Sequence, residues 1–269
     1  MAEYKFKAGT FFHHIREASK ELGESLEDTI TRVLGMGYVA AELDADDLDG
    51  TESLSKKGML VSSIYRNYGW RNGIDRAVME DHIRLAKRFG AGKIMAIPGL
   101  YSDKSFDPGE LERMKDGMLI LSDLARENGL ILTIEDYDNA LSPIATMGGM
   151  KIFLDADPEL RVALDTGNFL FSGEDILDAE KLFLTKVAHV HLKDRLYSKA
   201  GEGDVLVSTD GRKLYPCAVG DGDIPINEVL QKLTETGYDG YVLTEFFGSH
   251  SYFCHIERSA ENLKKEGWI

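Results

Sequence analysis

Eight short runs of β-branched and apolar residues recur along this chain, at 5–9, 38–43, 60–65, 93–98, 130–135, 162–165, 187–193 and 240–246. Between them lie stretches such as 25–36, 74–89, 111–128, 174–183 and 226–236, where apolar residues return every three or four positions. That is the period of a helix with one buried face. Glycine precedes several strands, as in MGY at 36–38 and FGAGK at 89–93, and marks the stop of a helix. Ser25 and Asp107 stand where N-caps are expected, the second followed by Pro108 at the first helical position. Eight alternating strands and helices within 269 residues predict an α/β protein, a (β/α)8 barrel. An open doubly wound sheet would carry a glycine-rich phosphate loop after its first strand, and the sequence has none. Without a Gly-Ser or Pro-rich linker, residues 1–269 are expected to form a single domain.

One unit is longer than the rest. The segment 196–225 separates the seventh strand from its helix, and VLVSTDGRKLYPC within it reads as a hairpin with Asp210 and Gly211 at the turn. An insertion at about 196–220 follows the C-terminal end of a strand, on the face where barrels carry their active sites. A lid, an oligomer contact or a plain surface hairpin are the roles open to it.

The 31 basic and 46 acidic residues leave a net charge of −15, which disfavours a phosphate backbone and so a nucleic-acid partner. No run reaches the length of a membrane helix, and MAEYKFKAGTFF lacks the apolar core of a secretory signal. Cys217 and Cys254 have neither the spacing of a zinc knuckle nor that of a disulfide framework. A cytoplasmic location and no membrane association are therefore expected.

In a barrel the working side chains lie at the C-terminal ends of the strands. The fifth strand ends at Glu135, the sixth at Asp165, the seventh offers His191 in VAHVHLKDR, and the eighth ends at Glu245. Four neighbouring strands thus send Glu, Asp, His and Glu toward one point. Three carboxylates gathered at a barrel mouth are costly to ionise unless a cation joins them. Oxygen-rich ligation with one imidazole suits Mn2+, with Mg2+, Co2+ or Zn2+ as alternatives.

The chain resembles the xylose isomerase-like barrels of sugar isomerases, epimerases and AP endonucleases. The similarity is carried by TIED at 133–136, LDTGN at 164–168, HVHLKD at 189–194, GDGDIPINEVLQKL at 220–233 and GYDGYVLTE at 237–245. By that resemblance Glu135, Asp165, His191 and Glu245 are metal ligands, with Glu135 and Glu245 also the acid/base pair. Homodimers or homotetramers are common among such barrels. The AP endonucleases carry extra histidines for a trinuclear zinc cluster, one of them at the position that is Asn168 here. Those that they place after the third and fourth strands are absent from SSIYR and AIPG. The departure implies a mononuclear site.

A single divalent ion beside two glutamates suits proton abstraction next to a carbonyl, through an enediolate. The leading expectation is therefore a sugar or sugar-phosphate isomerase or epimerase. A lyase or dehydratase on a keto-polyol, of the inosose or dehydroshikimate kind, is the alternative, and an AP endonuclease a more distant one. His13, Asn168, Lys193 and Arg195 are candidate substrate contacts, with Lys193 expected at the rim. His189, one layer down, is expected to be a hydrogen-bonded interior histidine, and Glu42, near the end of the second strand, a paired core acid or a support for the ligands. Tyr65, Tyr68 and Trp70 are candidates to wall a sugar face.

Overall fold

The computed structural model describes residues 5–197 and 203–269. Strands and helices follow one another as β1 (Lys7–Phe11), α1 (Phe12–Leu22), α2 (Leu26–Gly35), β2 (Ala40–Asp44), α3 (Glu52–Lys57), β3 (Leu60–Asn67), α4 (Arg76–Phe89), β4 (Lys93–Ile97), α5 (Pro108–Glu127), β5 (Ile131–Ile134) and α6 (Met147–Ala156). The second half holds β6 (Arg161–Asp165), α7 (Ile176–Phe183), β7 (Val187–Leu196), β8 (Leu206–Val207), β9 (Lys213–Cys217), α8 (Ile226–Glu235), β10 (Tyr241–Glu245) and α9 (Tyr252–Lys265). Strands β1 to β7 pair in sequence, β10 joins β1, and a β10–β7 pairing closes the ring. Every pairing within the ring is parallel. The result is a single (β/α)8 barrel, as the alternation of strands and helices predicts.

Local chemistry sets the helix boundaries. Ser25 accepts a hydrogen bond from the Asp28 amide and opens α2, and Asp107 accepts one from Gly109 ahead of Pro108 in α5. The inward faces of the helices bury their apolar stripes on the sheet, for example Ile30 and Val33 of α2 and Val229, Leu230 and Leu233 of α8. Among the described residues no helix is long and apolar enough to cross a membrane.

Two strand boundaries differ from the sequence expectation in ways that matter. β1 begins at Lys7 and runs on to Phe11, so Phe11 enters the barrel mouth while His13 falls on the first turn of α1. β7 continues to Leu196 because β9 pairs with it in antiparallel fashion, Asp194 opposite Cys217 and Leu196 opposite Tyr215. The expected hairpin is present: Leu206 pairs with Leu214 and Val207 with Lys213, and the Ser208 amide donates to the Arg212 carbonyl at 2.9 Å. Within the inserted segment, 198–202 lie outside the described residues.

The chain is tied back after this excursion by Asp194. Its buried carboxylate accepts from the amides of Arg195, Gly220, Gly222 and Ile224 at 2.8 to 3.2 Å. A Cβ at Gly222 would lie 2.1 Å from an Asp194 oxygen, so no larger residue fits there. The GDGDIP run thereby becomes a fixed continuation of the strand that carries His191.

Candidate metal centre and its cavity

Register places the site. His191 sits opposite Asp165 on β6 and Leu243 on β10, and Glu245 sits opposite Lys193. Glu135 immediately follows β5. In a closed barrel the strands tilt, and side chains from different rungs converge on the axis. The donor atoms of Glu135, Asp165, His191 and Glu245 all lie within 4.8 Å of one another, and all four residues are buried.

Below them lies a second group. Between Ala41 and Glu42 the β2–β3 ladder shifts register, and the Glu42 carboxylate lies inside the barrel against two histidines. The Nε2 atoms of His189 and His191 are each 2.8 Å from the same oxygen, Oε2 of Glu42. A carboxylate accepts, so both imidazoles donate from Nε2. Burial would raise the Glu42 carboxyl, but the facing imidazoles of His191 and His189 outweigh it and hold the group below the usual carboxylate range.

With its Nε2 proton given to Glu42, His191 presents Nδ1 to the upper group. Nδ1 contacts Glu135 Oε1 and lies 3.4 Å from Glu245 Oε2. Burial opposes a charge on this ring, yet Glu135 and Glu42 raise its pKa well above the ordinary histidine value. Burial also raises the carboxyls of Glu135 and Glu245, against the pull of His191 on the first and Lys193 on the second. Asp165 is pushed up to about 6 by burial, with Lys193 opposing and Glu245 adding to the rise. One Asp165 oxygen accepts from the amides of Gly167 and Asn168 at 2.7 and 2.6 Å. The other, Oδ2, has no hydrogen-bond partner, and neither has Oε2 of Glu245.

Unpartnered buried carboxylate oxygens are costly, and two of them meet an imidazole nitrogen here. The donor set of three carboxylates and one imidazole fits a divalent cation in which oxygen ligands dominate. In the lower group, by contrast, the Nε2 atoms are already satisfied by Glu42 at hydrogen-bonding distance. Glu42 Oε1 and His189 Nδ1 stay buried without a hydrogen-bond partner there, so the two groups differ in donor set: one carboxylate and two imidazoles below, three carboxylates and one imidazole above, with Glu42 orienting His191 from behind.

Above the quartet opens a cavity of about 530 Å3. Lys193 lies at its floor and not at the rim: Nζ is 2.5 Å from both Glu245 Oε1 and Asn168 Oδ1, and 3.6 Å from Asp165 Oδ2. The reason is Gly167, where an added Cβ would meet the Lys193 stem at 2.8 Å. The missing side chain lets the lysine fold inward. These carboxylates raise the Lys193 pKa despite its burial. Asn168 also donates from Nδ2 to the Asp136 carbonyl at 2.9 Å. Arg195 faces the cavity from further along β7, Nη2 3.5 Å from Asp138 Oδ2.

His13 does not line this cavity. It borders a small neighbouring crevice with Arg16 and Asp47, its ring stacked on Phe247 at 5.3 Å. Its place on α1 turns it off the barrel axis. His14 is wholly buried and accepts from the Phe246 amide at 3.0 Å. Of the expected aromatic wall only Tyr65 lines the cavity; Tyr68 and Trp70 stack on each other at 4.4 Å in the core. The cavity also takes in Phe11, whose ring meets His191 edge-on at 4.9 Å, together with Tyr137, Asp138 and Phe247. Asp138 and Phe247 stand a short step past Glu135 and Glu245, a pattern that a search for ligands alone passes over. The inserted segment contributes Asp204, Val205 and Leu206 to the wall.

The sequence profile of the xylose isomerase-like TIM barrel family matches residues 11–267. An inosose dehydratase of Clostridium perfringens (strain 13 / Type A) is 33% identical over 141 residues, 51% of this chain and 47% of that protein. The chain thus spans about half the length of the curated relatives it matches. The crystal structure of the probable 3-DHS dehydratase AsbF of Bacillus anthracis superposes with a TM-score of 0.73 at 17% identity, covering 97% of this chain and 98% of that one. A xylose isomerase-like TIM barrel protein of Mycobacterium smegmatis in complex with magnesium gives 0.67 at 18% identity, covering 98% and 95%. At such identities the likeness is one of fold.

Proposed function

The chain belongs to the xylose isomerase-like TIM barrel family, and on that premise we propose that it is a divalent-metal-dependent dehydratase of a keto-polyol. The observation that carries the chemistry is the buried quartet of Glu135, Asp165, His191 and Glu245 at the floor of a cavity large enough for a six-carbon polyol. Glu135, Asp165, His191 and Glu245 would hold the ion, Mn2+ suiting the donor set best. A bound cation supplies Lewis-acid stabilisation of the negative charge that builds on a carbonyl oxygen once the neighbouring proton leaves.

The remaining chemistry belongs to the side chains. Glu135 and Glu245 form the acid/base pair, and burial raises both carboxyls toward the range where one can take a proton and the other return one. One carboxylate removes the proton from the carbon beside the carbonyl. The electron pair left behind forms the new C=C bond as the hydroxyl on the next carbon departs, protonated to water by the other carboxylic acid. Lys193 beside Glu245 places a fixed positive charge where that hydroxyl leaves. The likeness to inosose dehydratase supports elimination over simple epimerisation, which would stop at the shared enediolate and return the proton.

Incubating the Mn2+-loaded protein with an inosose, 3-dehydroshikimate and a ketohexose separates these outcomes. Dehydration gives a product lighter by one water, with new ultraviolet absorbance. An isomer of unchanged mass would make the protein an epimerase and sink the elimination.

A further inference from the structure

Every second residue of β7 climbs one step out of the barrel, from His191 in the quartet through Lys193 on the floor to Arg195 on the wall of the cavity. The two cations are not equally spent. Lys193 Nζ is held at 2.5 Å by both Glu245 Oε1 and Asn168 Oδ1. A guanidinium has five N–H donors. Among the described residues that of Arg195 makes one ion pair, Nη2 3.5 Å from Asp138 Oδ2, and its Nε has no hydrogen-bond partner. The side chain is 5% exposed, so bulk water reaches little of it. Its backbone is fixed on both sides: the Arg195 amide donates to Asp194 Oδ1 and the Arg195 carbonyl accepts from the Asp223 amide, each at 2.8 Å. A buried, firmly mounted cation with unspent donors on a cavity wall suits a ligand group rich in acceptors.

The wall also carries Asp44, Asp138 and Asp204, whose charges oppose an anion. Solvent screens two of them: the Asp204 side chain is 80% exposed and that of Asp138 24%, against a guanidinium that is almost wholly buried. Carboxylates and phosphates can also pair with a guanidinium through two parallel N–H···O bonds, which the 3.5 Å contact to Asp138 does not achieve. We infer that Arg195 forms an oxyanion subsite, taking a carboxylate or phosphate that the substrate carries at the end remote from the quartet. This rests on the reading of the cavity as a keto-polyol site and deepens it by naming a specificity-determining residue.

Titration calorimetry of the Mg2+-loaded protein with myo-inositol, quinate and myo-inositol 1-phosphate tests it. These compounds lack the ketone, so binding is read without turnover. At least one anion should bind about tenfold tighter than the neutral polyol, and the tighter anion identifies the group. Arg195→Gln should bring that anion to within about threefold of myo-inositol. Asp138→Asn, which removes the competing carboxylate, should tighten it about threefold, a gain that damaged packing would not give. Myo-inositol binding as tightly as both anions, or no gain in Asp138→Asn, overturns the inference while leaving a polyol site standing. An anion preference that survives Arg195→Gln overturns it too, because the anion would then sit on the ion. Failure of all three compounds to bind overturns the keto-polyol reading itself, and the inference with it.

Discussion

His191 belongs to two clusters built from the same kinds of residue, and they differ in their balance of carboxylate and imidazole. Below it, Glu42 receives hydrogen bonds from His189 and His191, and these Nε2 contacts are complete at 2.8 Å. Above it, Asp165 Oδ2 and Glu245 Oε2 remain unpartnered around His191 Nδ1. Burial is nearly total in both. Glu42 Oε1 and His189 Nδ1 are unpartnered too, so what distinguishes the clusters is that the lower one directs both Nε2 protons at one carboxylate oxygen, fixing the imidazole, while the upper one gathers three carboxylates around Nδ1. An excess of converging carboxylate oxygens, more than histidine and carboxylate in proximity, is what points to a cation.

The sharpest way to break the contrast is at the upper group. Asp165→Ala should lower metal affinity by more than about a hundredfold and abolish turnover, with metal content and rate as the readouts. Equal metal binding by variant and parent would erase the distinction. Glu42→Gln acts from below, leaving His191 without its full acceptor. Metal affinity should fall about ten- to a hundredfold, and the fold should lose about 2–4 kcal/mol in denaturant melts because buried imidazole groups lose a charged partner. A variant that loses stability while keeping its metal affinity would show that Glu42 does not orient the ligand.

Proton linkage gives a subtler effect. In the metal-free protein burial pushes the Asp165 carboxyl up to about 6, from the ordinary 3.8 of the unfolded chain. The native state therefore binds the extra proton between about pH 4 and 6, and metal-free stability falls as pH rises through that window. His191, raised above 6.5 in the fold, has the same sign at higher pH. A bound cation displaces these protons, so the gain in melting temperature on adding Mn2+ should grow from pH 5 to pH 8. A gain that shrinks over that range would place the ion elsewhere. The smallest effect is expected at His13, outside the cavity: His13→Ala should change kcat/KM by less than about threefold.

Much of this was legible in the sequence because a barrel converts strand ends into a ring. Once Glu135, Asp165, His191 and Glu245 are placed at the ends of four neighbouring strands, their convergence follows from topology. The position of Lys193 was not legible. Period two places it on the same face as His191, one step higher, but its depth depends on the bare backbone of Gly167 across the β6–β7 junction. The fate of His13 turned on two residues of strand length, since β1 ends at Phe11 and the helix begins at once. The engagement of Glu42 with both histidines depends on a register shift in β2, which hydrophobic periodicity does not encode.

The central claim, that the upper quartet alone takes up a cation, is tested most directly by metal analysis after equilibration with Mn2+ and gel filtration. Parent protein should retain one ion per chain, the His189→Gln variant should retain it with weakened affinity, and Asp165→Ala should retain none. Two or more ions per chain in the parent, or one still held by Asp165→Ala, would contradict it.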